Sequence, residues 1–421
     1  LRRCQGGSSW RSGCGFLIRP PTDADRNTAA APLDGAGPSA TTSLPMDRRV
    51  SPVEAAQALR AALAHAGAGL VERDAVLELV VLAAVAGEHV LVLGPPGTGK
   101  SQAVRRVAEL LGGRYFEYLL GRFTEPSELF GPVDLVKLRG GVVETRTEGM
   151  LPEAEVAFLD EVFLGSSAIL NTLLGLLNER TFRRGLTALR CPLRVCVGAS
   201  NALPEEPELA AFADRFLVRV HVEPVSDGSL EDLLARGHAP ALPLAPALGV
   251  EGLDLLTSAA AALPLDEVRG DMAHAVRALR KAGLDLSDRR VVRGQRLVAA
   301  AAVLAGRARA TRADLWPLVA VVPSAEGQGM AREVLRALLA EAENATLPRA
   351  ALDASAGPAA RAAQLVRAGA ALLDALPAAD DENAREAQRL RIEGLARSLD
   401  ASFARDASPP EVAELRARIV R

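Results

Sequence analysis

From Ser51 onward the apolar positions follow two alternating patterns, helical spacings of three and four and short unbroken runs. Ser51-Pro52 followed by Glu54 has the form of a helix start, with Ser as N-cap and Pro in the first turn. The spacing predicts helices over 51–65 and 73–86. His89-Val-Leu-Val-Leu93 then reads as a short buried strand, and a helix follows over 100–111. Further strands are predicted at 115–120, 156–159, 193–198 and 216–222, with a helix over 166–179. Strands separated by helical segments predict an α/β fold, a parallel five-stranded sheet covered on both faces.

Residues 224–264 are rich in Ala, Leu, Pro and Gly and read as a linker with short helices. Beyond them the pattern is all-helical, over 266–282, 289–305 and 311–321, with Thr311 as an N-cap and Asp314 three residues on. More helices are predicted at 328–343, 358–376, 380–404 and 409–420, punctuated by Pro348, Pro358, Pro377 and Pro409-Pro410. The expected division is an N-terminal extension over 1–48, an α/β nucleotide-binding domain over 49–225, a helical lid with its linker over 226–322, and a C-terminal helical region over 323–421.

Composition changes this picture only at the N-terminus. Residues 1–48 are rich in Gly, Ser, Pro, Thr and Arg and are expected to be disordered. The first 22 residues hold four arginines and no acid, which fits a transit peptide; the plainer alternative is a translation start at Met46. The remainder is ordinary for a globular chain, 49% hydrophobic and 24% charged over 421 residues. A net charge of −3 gives no electrostatic case for nucleic acid or an anionic membrane. The best candidate for a membrane span, Ala75 to Gly94, is broken by Glu78, Gly87, Glu88 and His89. Cys4, Cys14, Cys191 and Cys196 form no CxxC pair, so free thiols in a cytoplasmic protein are expected. Lysine occurs only at Lys100, Lys137 and Lys281.

Lys100 belongs to the strongest motif. Gly94-Pro95-Pro96-Gly97-Thr98-Gly99-Lys100-Ser101 fits GxxxxGK[ST] without a mismatch, between a predicted strand and a predicted helix. Backbone N–H groups must wrap a nucleotide's β-phosphate, and side chains at the glycine positions would block them. The helix N-terminus faces the phosphates, Lys100 supplies a point charge, and the Ser101 hydroxyl is placed to ligate Mg²⁺. Val156-Ala-Phe-Leu159 ends in Asp160-Glu161. Two acids after an apolar run are often just a solvated strand end. Beside a phosphate loop, Asp160 can hold Mg²⁺ and Glu161 can deprotonate water. Asn201 ends another strand pattern, either as a turn residue or as a hydrogen-bond donor to the γ-phosphate or the water. Arg215 can be a salt-bridge partner or an arginine finger reaching a neighbouring subunit. Arg289 or Arg290, at a helix start, can contact the γ-phosphate.

On these strings the chain resembles the MoxR family of AAA+ ATPases, and its RavA-like branch, over roughly residues 50 to 322. Arg122-Phe-Thr-Glu-Pro-Ser-Glu-Leu-Phe-Gly131, Gly149 to Glu161, Ala168 to Arg180 and Gly198-Ala-Ser-Asn201 carry the likeness beside the phosphate loop. The resemblance implies that Gly94–Ser101 is the Walker A loop, that Asp160 and Glu161 are the Walker B metal and base positions, and that Asn201 is sensor 1. It implies Arg215 as the arginine finger and Arg289 as sensor 2, with Arg290 as the alternative. The hairpin-like stretch 141–149 falls where such proteins carry an insert facing a central pore. ATP and Mg²⁺ are the implied cofactors. A hexameric ring that remodels protein clients, often with a von Willebrand factor A partner, is the implied assembly. The 1–48 extension has no counterpart in the family, and no β-rich stretch follows residue 325. A DNA-acting or chelatase-like motor and a nucleotide-gated scaffold are the alternative functions.

Overall fold

The computed structural model describes residues 50–237, 244, 247–355, 366, 369, 370, 372, 373, 382–402 and 410–420. The expectations for residues 1–48, with a start at Met46, and for most of the helix at 358–376 lie outside the described residues.

Helix α1 (Pro52–Gly67) opens on a complete capping box: Glu54 N–H donates to the Ser51 hydroxyl, and the Glu54 carboxylate accepts from Ser51 N–H. Helix α2 (Asp74–Ala86) is apolar on nearly all sides and is buried accordingly. It stops at Gly87, whose φ of 66° lets the chain turn into strand β1 (Val90–Leu93). There follow α3 (Lys100–Leu111), β2 (Tyr115–Leu119), α4 (Pro126–Phe130), α5 (Leu135–Arg139), β3 (Val156–Asp160), α6 (Ser167–Glu179), β4 (Thr181–Arg184), β5 (Thr187–Arg190), β6 (Val195–Ser200), α7 (Pro207–Ala213) and β7 (Val218–His221).

Five of these strands form one parallel sheet in the order β2-β3-β6-β1-β7, the α/β architecture the alternation predicts. Register fixes what lies at each end. Val90 is level with Val197 and Val218, and Leu93 is level with Ser200 and His221. The C-terminal ends of β1, β3 and β6 therefore share one edge, and residues just before β7 lie at the other.

Two local expectations are corrected. The stretch 141–149 contains no paired strands of its own; it makes a single bridge between Val133 and Thr145. The antiparallel hairpin is instead β4–β5, against which Thr145 N–H donates to Thr187 Oγ1. Nor are the helices of 224–264, expected as a linker with short helices, all short. The stretch holds α8 (Leu230–Gly237) and the 14-residue α9 (Gly249–Ala262), which buries Leu253, Leu256 and Ala260. Its Ala- and Leu-rich composition is that of a packed helix.

Helices α10 (Arg269–Lys281) and α11 (Asp288–Leu304) match their predicted spans within three residues. The single helix expected at 311–321 is instead a 3-10 turn, Arg312–Asp314, and a short α12 (Pro317–Ala320), because Pro317 lacks an N–H and restarts the chain at a first turn. The helix expected at 328–343 is split into α13 (Ala325–Val334) and α14 (Arg336–Leu339). Then come α15 (Pro348–Ser355), α16 (Glu382–Ser402) and α17 (Pro410–Val420). One continuous core runs from Ala55 through α2, the sheet, α9 and α11 to Ala354, crossing the positions 225 and 322.

Glu78 sits inside this core at 6% exposure, where its carboxylate accepts from Ala350 N–H at 2.7 Å. Burial pushes its pKa up to about 7. A raised carboxyl pKa means the folded state binds the proton more tightly than the unfolded chain. That stabilisation is whole below the unfolded pKa and is lost as pH rises through 7. Glu78→Gln should therefore raise the melting temperature at pH 8, by the equivalent of at most about 3 kcal/mol, and leave it nearly unchanged at pH 4. An equal shift at both pH values would show that Glu78 does not titrate this way.

Candidate nucleotide site

The phosphate loop joins β1 to α3 at the C-terminal edge of the sheet. Its glycines are needed for different reasons. At Gly94 a Cβ would meet the Val222 carbonyl oxygen at 2.1 Å. Gly97 and Gly99 have φ of 78° and 77°, the left-handed region. Gly99 is the N-cap of α3, so the helix's free N–H groups open into the loop. Lys100 is buried, and its Nζ donates to the carbonyls of Gly94 at 2.7 Å and Pro95 at 2.9 Å. The ammonium thus lies across the loop, where it can meet phosphate oxygens. Thr98 Oγ1 donates to Pro95 O at 2.9 Å and braces the loop. Ser101 is half-buried in the first turn of α3.

Asp160 ends β3 on the same edge, and its Oδ1 accepts from Glu161 N–H at 3.0 Å. Glu161 takes a left-handed backbone, φ 49° and ψ 46°, which costs a non-glycine residue roughly 1–2 kcal/mol. Such strain concentrates where a side chain must be aimed. Glu161 Oε1 accepts from Asn201 Nδ2 at 3.0 Å, and Asn201 directly follows β6. Glu161 and Asn201 are thus brought together, with Asp160 adjacent. The donor set suits Mg²⁺: the Ser101 hydroxyl and the Asp160 carboxylate are hard oxygens, and Mg²⁺ in nucleotide sites takes few protein ligands beside phosphate and water. The glycine cradle and the Lys100 ammonium likewise suit a phosphate chain.

Beside the loop lies a cavity of about 560 Å³, lined partly by Leu70, Val71, Gly97, Pro224 and Leu233. That size and apolar lining suit a nucleoside. Arg73 binds its walls together. Its Nε donates to Thr98 O at 2.8 Å, and Nη2 donates to Glu223 O at 2.9 Å. Glu72, at φ 55°, accepts from Ser226 N–H at 3.0 Å. Arg236 of α8 reaches back to Leu70 O at 2.9 Å. None of these residues carries a motif, and nothing in their sequence spacing singles them out. Replacing Arg73 with Met should weaken ATP binding about tenfold or more, since charge-assisted bonds to buried groups are lost. A calorimetric titration checks this, and unchanged affinity would remove Arg73 from the site.

Arg215 and Arg289 are elsewhere. Arg215 precedes β7, so it lies at the edge of the sheet opposite its own phosphate loop, about 13 Å of strand away. Its Nε is buried without a hydrogen-bond partner. Arg289 opens α11, whose N-terminus docks at that same far edge. The neighbouring Arg290 shows this: it donates to Leu217 O at 2.7 Å, Val321 O at 2.8 Å and Asp214 Oδ1 at 3.0 Å. Arg293 and Arg296, further along α11, hold buried Glu88 just before β1. Arg290 is 1% exposed and bound in the interior, whereas Arg289 is half-buried and its buried Nη1 has no hydrogen-bond partner.

Residues 57–243 match the family described as the MoxR domain of MoxR-vWA-beta-propeller ternary systems. The match takes in the phosphate loop, Asp160, Glu161 and Asn201. Two uncharacterised proteins of Methanocaldococcus jannaschii are 37% and 36% identical to the chain over 250 residues, 58% of its length. The chain spans just under two thirds of these curated relatives, 65% and 64%. A structural protein of Acidianus two-tailed virus is 32% identical over 146 residues, which is 33% of this chain and 24% of that protein. Among solved structures, a candidate ATPase from Cytophaga hutchinsonii aligns with a TM-score of 0.56 at 16% identity, covering 70% of this chain and 96% of its own. That likeness concerns the fold, an α/β AAA+ fold. Among the described residues, no helix is long and apolar enough to cross a membrane.

Proposed function

We propose that this chain is a ring-forming ATPase whose hydrolysis site is completed by the next subunit and whose work is the remodelling of a protein client. One observation carries the reading. The phosphate loop, Asp160, Glu161 and Asn201 share one edge of the sheet, whereas Arg215 and Arg289 occupy the other. An arginine that cannot serve its own loop is positioned for a neighbour's, and a head-to-tail contact of that kind closes into a ring.

In this account Lys100 and the loop N–H groups hold the β- and γ-phosphates. Ser101 and Asp160 hold Mg²⁺, which when bound neutralises charge on the phosphate oxygens. Glu161 takes a proton from water as the water oxygen attacks the γ-phosphorus; the bond to the ADP oxygen breaks, and the electron pair leaves with ADP. Asn201 orients Glu161 through the 3.0 Å bond. Arg215 and Arg289 of the adjoining subunit stabilise the transferring group. Both are thus assigned in trans.

The client-facing surface is assigned to α5 and the hairpin tip. Leu135, Val136 and Leu186 are 70%, 80% and 73% exposed there, and Leu186 N–H donates to Val143 O. Such an apolar surface suits a protein segment better than a nucleic acid. A von Willebrand factor A protein as partner is supported by the description of the matching family. A place near the RavA-like branch rests on Arg122 to Gly131, which forms the loop after β2 and α4. Hexameric assembly and a cytoplasmic location belong to the same proposal.

The ATPase rate per subunit should rise with protein concentration and level off once rings are complete, with light scattering recording assembly in parallel. A rate per subunit that persists after dilution to monomers would refute the composite site.

A further inference from the structure

A second polar cavity, of about 440 Å³, lies away from the phosphate loop, between the C-terminus of α2, the exit of β5 and α9. Arg180, Arg190 and Arg194 line it together with Thr257, and no carboxylate does. Two of its lining atoms, Arg194 Nε and Thr257 Oγ1, are buried without a hydrogen-bond partner. Buried polar atoms are nearly always satisfied, so two orphans on one cavity mark a place built for a polar occupant.

The charge around it is predominantly positive. Arg194 is half-engaged by Asp254 at 2.7 Å, and buried Glu88 is shared by Arg293 and Arg296. Arg190 is exposed and makes no ion pair among the described residues. Five guanidinium groups thus stand against two carboxylates, and burial pushes the pKa of His89 beside them well down. Arg180 is held with a left-handed backbone, φ 54°, and its Nη2 donates to Gly87 O at 2.8 Å. The left-handed residue is the C-cap of α6, and Nη2 also reaches Arg194 O at 3.4 Å, so Arg180 adds a fixed positive charge to the cavity wall.

We infer that this cavity binds a small phosphate-bearing anion at the edge of the sheet opposite the phosphate loop. Guanidinium groups on several sides plus a hydroxyl match a tetrahedral phosphate, which accepts from several directions, better than a planar carboxylate. The volume lies within the range of small-ligand sites.

The test uses the full chain and inorganic phosphate as probe, followed by calorimetry. Saturable phosphate binding should survive in Lys100→Ala, where the phosphate loop is disabled. It should weaken at least about tenfold in Arg190→Glu, whose exposed position leaves the fold intact, and less in Thr257→Val. In the parent, Arg190→Glu should remove one of two phosphate sites. Loss of all saturable binding in Lys100→Ala, or parental binding in Arg190→Glu, would overturn the inference.

Discussion

Glu161→Gln should bind ATP as tightly as the parent and hydrolyse it about 10²- to 10⁴-fold more slowly, the usual contribution of a positioned base. The substitution keeps shape and removes only the ability to take a proton. The amide oxygen can still accept from Asn201 Nδ2, so the loop need not move. The left-handed backbone at Glu161 costs Gln the same as Glu, so stability should be unchanged. Binding followed by fluorescent nucleotide titration, with turnover followed by phosphate release, separates the two effects. Hydrolysis at the parental rate would assign the base to another residue.

Arg215→Ala should leave nucleotide affinity largely intact and slow turnover by up to about 10³-fold, the scale of an arginine finger supplied by a neighbour. Arg289→Ala should act in the same direction. Arg290→Ala should behave differently. Its guanidinium is bound to Asp214 and to the carbonyls of Leu217 and Val321 in the interior, so its loss strands buried groups. Removing one partner of a buried pair costs about 3–5 kcal/mol, which would appear as a lower melting temperature. Arg290 also ties the segment bearing Arg215 to the helix bearing Arg289. The contrast between a rate effect at Arg289 and a stability effect at Arg290 resolves which is outward-facing. A stability loss at Arg289 without a rate effect would reverse the assignment.

The phosphate loop, the acidic pair and Asn201 were legible in the sequence because each is a local string at the end of an apolar strand. Their physical requirements act over a few neighbouring residues. Arg73, Leu70 and Leu233 were not, because the nucleoside cavity is assembled from segments more than 150 residues apart, Ala68–Arg73 and Pro224–Arg236, neither of which repeats a pattern. The β4–β5 hairpin was missed because Phe182 is its one fully buried strand residue and arginines fill much of the rest. Alternation is invisible when so few apolar positions carry it. Helix α9 was hidden for the opposite reason, since its small apolar residues look like linker composition. The placement of Arg215 and Arg289 at the far edge depends on strand register, and sequence spacing does not encode it.

Mixing two inactive variants tests the composite site most directly. Glu161→Gln retains the arginines, and Arg215→Ala retains the base. In a ring assembled at random from equal amounts, about a quarter of the junctions join an intact base to an intact arginine. The mixture should therefore recover about a quarter of the parental ATPase rate, although each variant alone is nearly inactive. A mixture no more active than the average of its components, with rings confirmed by light scattering, would contradict an arginine acting across the subunit boundary.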